Sequence, residues 1–144
     1  MRLEYFANAR VAIAVTLAAT THARFMFLRK ADAQPSAGSA VDHVGFSVGD
    51  LDAKMRELQA AGVKLVTPVR EVPDLFRIAF VEDPWGTRIE VAEDPERLGL
   101  HHVHMRGPDP DQVFSWLLDT FGGQRTKLKG QLDGIKYRAP RASR

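Results

Sequence analysis

Apolar and polar residues alternate from Val41 to Val48, with Val44, Phe46 and Val48 on one face and His43, Gly45 and Ser47 on the other. The spacing then changes. Leu51, Met55, Leu58 and Ala61 recur at three- and four-residue intervals and line one side of a helix, which Asp50 or Asp52 caps and Gly62 ends. Val63 to Val66 reads as a short strand, and Thr67-Pro68 as a turn or irregular edge. Leu75 to Val81 alternates again, Asp83-Pro84-Trp85-Gly86 is a turn, and Thr87 to Ala92 is a further strand. The order is β-α-β-β-β.

A second copy begins after it. His101 to Arg106 predicts a strand, Pro108-Asp-Pro-Asp111 a turn and cap, and Gln112 to Thr120 a helix with Val113, Phe114, Trp116, Leu117 and Phe121 apolar. Gly122-Gly123 stops it, and the pattern weakens beyond. At the offset that carries His43 onto His102, Val44 falls on Val103, Asp50 on Asp109, Asp52 on Asp111, Met55 on Phe114 and Leu58 on Leu117. One supersecondary unit is therefore used twice, with a histidine at the same place in each copy. The offset from His43 to Glu90, laid from His102, runs past Arg144, so the second unit is expected to be cut short. Upstream, Arg24-Phe-Met-Phe-Leu-Arg29 reads as a strand left from an earlier unit, followed by a linker to Ser39. The fold class expected is α+β: a complete central βαβββ module over 40–98, flanked by partial modules at 1–39 and 99–144.

Composition changes this picture little. With 144 residues, 44% hydrophobic and 26% charged, the chain suits one globular domain, and a net charge of +2 gives no case for nucleic acid. Basic residues crowd the end (Arg125, Lys127, Lys129, Lys136, Arg138, Arg141 and Arg144 against Asp133), and a solvated tail is favoured there over an anion site. The absence of cysteine removes disulfides, thiolate metal sites and cysteine nucleophiles. Arg10, the apolar run Val11 to Ala19 and Thr21-His-Ala23 resemble a secretory leader, but Glu4 and the Ala/Thr-rich run argue against one. A cytoplasmic location is expected, a periplasmic one only if residues 1–23 act as a signal. The apolar run is too short to span a bilayer.

Chemistry concentrates on one strand face. His43 lies opposite the apolar face of its strand, and Glu90 does the same between Ile89 and Val91, so both are expected on the concave side of one sheet. Imidazole and carboxylate held on neighbouring strands make half of a site for a divalent first-row metal. His102 repeats His43, and His104 shares its face, expected to act on substrate or behind the ligands rather than as a ligand. His101 is expected toward the helix side or solvent. Glu82, Glu93, Asp94 and Glu96 read as turn and surface residues, and Trp85 and Trp116 as packing.

His43-Val-Gly-Phe, Asp50-Leu-Asp, Ala61-Gly62 and Glu82-Asp-Pro-Trp-Gly-Thr-Arg-Ile-Glu90 together resemble the vicinal oxygen chelate superfamily of glyoxalase I, extradiol dioxygenases and bleomycin-resistance proteins. The resemblance is strong over 41–92, good over 100–123, and fades outside. It implies paired modules curled into a cup around one metal, with His43, Glu90 and His102 as ligands and Glu90 and His104 as catalytic groups. The implied cofactor is a divalent ion (Fe, Mn, Ni or Zn), and the implied partner a small molecule whose adjacent oxygens chelate it. A glyoxalase-like lyase or isomerase is favoured, because ring-cleaving dioxygenases of the family order their ligands His, His, Glu. An Fe(II) dioxygenase and a metal-free ligand-binding protein are the alternatives, and a homodimer or edge-completed assembly is expected.

Overall fold

Stretches of period two become strands and stretches of helical period become helices in the computed structural model of the protein, which describes residues 29–137. In chain order these are β1 (Val41–Val48), α1 (Leu51–Ala60), β2 (Lys64–Glu71), β3 (Arg77–Glu82), β4 (Arg88–Glu93), β5 (Gly99–Met105), α2 (Pro110–Phe121), β6 (Gln124–Leu128) and β7 (Leu132–Lys136). The class is α+β. The first five strands form one curved sheet in the order β2-β3-β4-β1-β5, with β1 and β4 parallel and the other pairs antiparallel. Hairpin β6–β7 is a separate two-stranded sheet. The strand expected over 24–29 lies, but for Arg29, outside the described residues, as does the leader-like segment before it.

One core holds α1 to the sheet. Leu51, Met55 and Leu58 pack on Ala79, Val81, Val91 and Val48, the apolar face that alternation assigns to each strand. Burying each large aliphatic side chain stabilises the fold by roughly 1.5–3 kcal/mol. Asp50 is the cap: its carboxylate accepts from the Ala53 amide at 2.8 Å. Glu93 adds a second acceptor at the same end, 3.0 Å from the Leu51 amide, and binds Arg77, which also grips Asp52. The helix ends where Gly62 turns to φ 75°, with Val63 N–H bonded back to the Leu58 carbonyl and Val63 packed against the core.

The other face of the sheet is concave. Ile78, Phe80 and Ala92 are buried on it together with Phe76, and Leu128 of β6 packs there. It is this face that carries the histidines.

Several sequence expectations change. β2 does not stop at Val66; it runs through Thr67-Pro68 to Glu71, with register shifts on either side of Thr67. Proline is tolerated because β2 is the sheet edge, where a missing N–H breaks no ladder bond. Instead of a weakly patterned end there is a β-hairpin. Its turn has positive φ at Lys129 (45°) and Gly130 (75°), and Gln131 N–H bonds the Leu128 carbonyl at 2.9 Å. The described basic residues belong to this hairpin rather than to a loose tail: Arg125 pairs with Asp111, Lys127 with Asp133, and Lys129 lies over the Phe76 ring. Trp85 and Trp116, expected to pack, are largely exposed. Among the described residues no helix is long and apolar enough to cross a membrane.

Candidate functional site

Three neighbouring strands supply the side chains. β4 and β5 flank β1, so Gly45 sits between Glu90 on one side and His102 on the other, and His43 faces His104 across the β1–β5 ladder. His43, Glu90, His102 and His104 therefore share the concave face. His43 Nε2 is 3.3 Å from Glu90 Oε2 and 3.4 Å from His102 Nε2, and His102 Nε2 is 3.9 Å from Glu90 Oε1. Ligand atoms of His43, His102 and His104 all lie within 4.8 Å of one another, a grouping able to hold a metal ion. His43 is buried, His102 half-buried and His104 exposed at the rim. Phe80 meets the His43 ring edge-on at 5.1 Å.

Glycine at position 45 is what makes room. A Cβ there would lie 2.3 Å from His102 Cε1, inside the imidazole. The His102 ring thus lies directly over the β1 backbone, and no larger residue fits beneath it.

Two bulges bring in residues that alternation misplaces. Between the pairs Val41↔Met105 and His43↔His104, β1 holds one extra residue, Asp42. Asp42 is buried, and its Oδ1 lies 2.7 Å from His43 Nδ1. Gly38 N–H, Arg106 and Arg88 complete its surroundings. Between Gly45↔His102 and Phe46↔Leu100 the extra residue is on β5, and it is His101. The expectation that His101 faces the helix or solvent is therefore wrong. Its side chain is buried beside His102, Nδ1 to Nδ1 at 2.9 Å, with Nε2 3.3 Å from Asp94 and its ring edge against Phe76. Asp94 is likewise no surface residue: only 6% of it is exposed. Sequence reasoning missed Asp42 altogether. The signal available was its place beside His43, which strict period two disguises.

Electrostatics follow from these contacts. Burial raises the Asp42 carboxyl, but the His43 hydrogen bond, the Gly38 amide and the Arg106 charge outweigh it and bring it down to about 2. As a carboxylate it only accepts, so His43 Nδ1 donates and His43 Nε2 faces Glu90 and His102. Burial opposes a charge on His43, yet hydrogen bonds to Glu90 and Asp42 raise its affinity for a proton overall. Burial also works against ionised Glu90, while the His43 bond and the nearby imidazoles keep its carboxyl low. Burial pushes His102 down to about 4, Glu90 opposing and His101, His43 and His104 reinforcing. His104 is lowered as well, first by partial loss of solvent on the side facing the cup and then by His43. His102 and His104 are thus neutral at pH 7, the form in which imidazole binds metal.

Arg88 crosses the Phe80 ring at 4.2 Å, and among the described residues its buried Nε has no hydrogen-bond partner. A cavity of about 420 Å³ lies elsewhere, at the β2–β3 turn under Lys129, and none of the histidines lines it.

Residues 3–91 match the family model of the glyoxalase/bleomycin resistance protein/dioxygenase superfamily. That span reaches further toward the N-terminus than the motif resemblance and ends before His102. Two mutant forms of glyoxalase I from Zea mays have similar structures, with TM-scores of 0.57 and 0.55 at 18% and 20% identity. The match covers 62% and 59% of this chain but only 33% and 31% of those chains, so this protein spans about a third of their length. At that identity the likeness is one of fold. Among curated protein sequences no relative matches.

Proposed function

The chain belongs to the glyoxalase/bleomycin resistance protein/dioxygenase superfamily, and from that premise we propose that it is a metal-dependent enzyme of glyoxalase-like lyase or isomerase type. The observation that carries the reading is the convergence of His43 Nε2, His102 Nε2 and both Glu90 oxygens at 3.3–3.9 Å. Donor atoms bound to one first-row ion at about 2.0–2.2 Å stand roughly 3–3.5 Å apart, so these residues fit such an ion with small adjustments. His43, Glu90 and His102 would hold it, and His104 is near enough to serve as a further donor. Such an ion would supply Lewis acidity to a substrate presenting two adjacent oxygens.

The chain's own groups have distinct tasks. Asp42 holds the His43 ring by its Nδ1–H, which fixes the direction of Nε2. Glu90 keeps its charge despite burial and so offers carboxylate oxygens to the ion. His104, neutral and exposed at the rim, can take a proton at a ring nitrogen from a substrate held in the cup. Phe80 backs the His43 ring, edge-on at 5.1 Å. The same two-histidine, one-carboxylate set also suits iron(II), and the identity of the bound metal decides between isomerisation and oxygen chemistry.

Elemental analysis of wild type, His43→Ala and Glu90→Ala tests the reading. Near-stoichiometric iron, manganese, nickel or zinc in the wild type, lost in both variants, is the expected result. An unchanged metal content in both variants would sink the site, and a wild type that takes up no metal after reconstitution would leave a binding protein. His104→Ala should keep its metal and change turnover; loss of metal would make it a ligand.

A further inference from the structure

His102 does not stand alone on β5. The bulge sets His101 beside it, and behind His101 lies Asp94, making a continuous chain Asp94 Oδ2–His101 Nε2 (3.3 Å), His101 Nδ1–His102 Nδ1 (2.9 Å). From this geometry we propose that Asp94 and His101 are positioning residues that hold His102 as the tautomer protonated on Nδ1, leaving Nε2 bare toward His43 and Glu90.

The direction of every bond follows from one end. A carboxylate has only lone pairs to offer, so Asp94 accepts and His101 Nε2 donates. In the uncharged ring this leaves a lone pair on Nδ1. Among the described residues the neighbour within hydrogen-bond reach there is His102 Nδ1, which then donates. His102 keeps a lone pair on Nε2, the atom 3.4 Å from His43 Nε2. The opposite tautomer would leave two lone pairs facing each other between the rings.

The anchor is rigid. Asp94 takes a second bond, at Oδ1, from the Glu96 amide, and its carbonyl accepts from Arg97 N–H. Ser47, fully buried on the cup face, donates to the Arg97 carbonyl and ties this turn to β1. Phe76 closes the other side of the His101 ring, edge to face at 5.4 Å. Glycine at 45 lets the His102 ring lie flat enough to meet both neighbours. Asp42 does for His43 in one step what Asp94 does for His102 in two. A hydrogen bond on the far ring nitrogen is the usual way proteins orient a metal-binding imidazole.

The purpose of this chain rests on the metal reading above, but its geometry does not, and the experiment separates the two. In metal-free wild type at neutral pH, long-range 15N–1H correlation spectra should show His102 protonated on Nδ1 and bare on Nε2. Asp94→Leu and His101→Phe should shift His102 toward the other tautomer and weaken Zn2+ binding by about 10–100-fold. His101→Gln, whose amide oxygen can accept from His102 Nδ1, should retain the wild-type tautomer and most of the affinity. A wild-type His102 protonated on Nε2, or an Asp94→Leu protein with unchanged tautomer and Zn2+ affinity, would overturn the proposal. A wild type that binds none of Zn2+, Ni2+, Mn2+ and Fe2+ while its His102 still shows the Nδ1–H tautomer would support the positioning role and end the metal reading instead.

Discussion

The first βαβββ unit and the second copy begin alike and end differently. Both open with His-Val on a strand, and both start a helix on an aspartate whose side chain accepts from the first-turn amides, Asp50 in α1 and Asp109 in α2. Local sequence dictates local structure equally well in the two. Burial does not follow. Leu51 is 0% exposed in α1, whereas α2 buries no residue, with Trp116 at 60% and Phe121 at 63% exposure. An amphipathic helix gains most of its stability from the surface it packs on, and only α1 has a five-stranded sheet beneath it. The second copy contributes its chemistry instead through β5, which joins the sheet of the first and puts His102 and His104 beside His43. Among the described residues, repetition thus serves the site without a second core of equal weight.

Matched substitutions break this comparison most sharply in the helices. Leu58→Ala should cost about 2–5 kcal/mol, while its half-buried counterpart Leu117→Ala should cost only about 1 kcal/mol. Urea unfolding of the two variants measures both, and equal losses would show that α2 is as firmly packed as α1. Gly45→Ala comes next. Its new methyl group collides with the His102 ring, so a loss of about 1–3 kcal/mol is expected together with weakened Zn2+ binding. Isothermal titration and thermal melts read the two effects, and a variant unchanged in both would mean that His102 does not lie over β1.

Cap removal makes the smallest and finest distinction. Asp50→Ala should lower global stability by about 1 kcal/mol, because α1 unfolds only with the core. Asp109→Ala should quicken amide exchange in the first turn of α2 and leave the global transition almost in place. A global loss of the same size in both variants would contradict the local role given to α2.

Much of the site was legible from period two alone. Val44, Phe46 and Val48 against His43, Gly45 and Ser47, and Ile89 and Val91 against Glu90, assigned His43 and Glu90 to one face; the repeat added His102, and alternation from His102 added His104. The failures have one cause in common. A bulge shifts the alternation by one residue, so Asp42 and His101 reached the cup when the pattern sent them elsewhere. Each bulge coincides with a pair of polar residues that breaks the alternation, Asp42-His43 between Val41 and Val44 and His101-His102 between Leu100 and Val103. Thr67-Pro68 failed differently: proline argues against a strand unless the strand is an edge, and edge position is a property of the whole sheet.

By itself, then, the sequence determined the strands β1, β3, β4 and β5, the two helices and their aspartate caps, and that a histidine recurs at one structural position, but neither the full length of β2 nor the β6–β7 hairpin. Those features depend on backbone propensity, capping and periodicity, which act over a few residues. Only the tertiary structure decided that β4 and β5 flank β1, that two bulges turn Asp42 and His101 toward their neighbouring histidines, and that α1 is covered while α2 is not. Strand order, register and burial depend on contacts between residues far apart in the chain, and a side chain's chemistry here is set by those contacts.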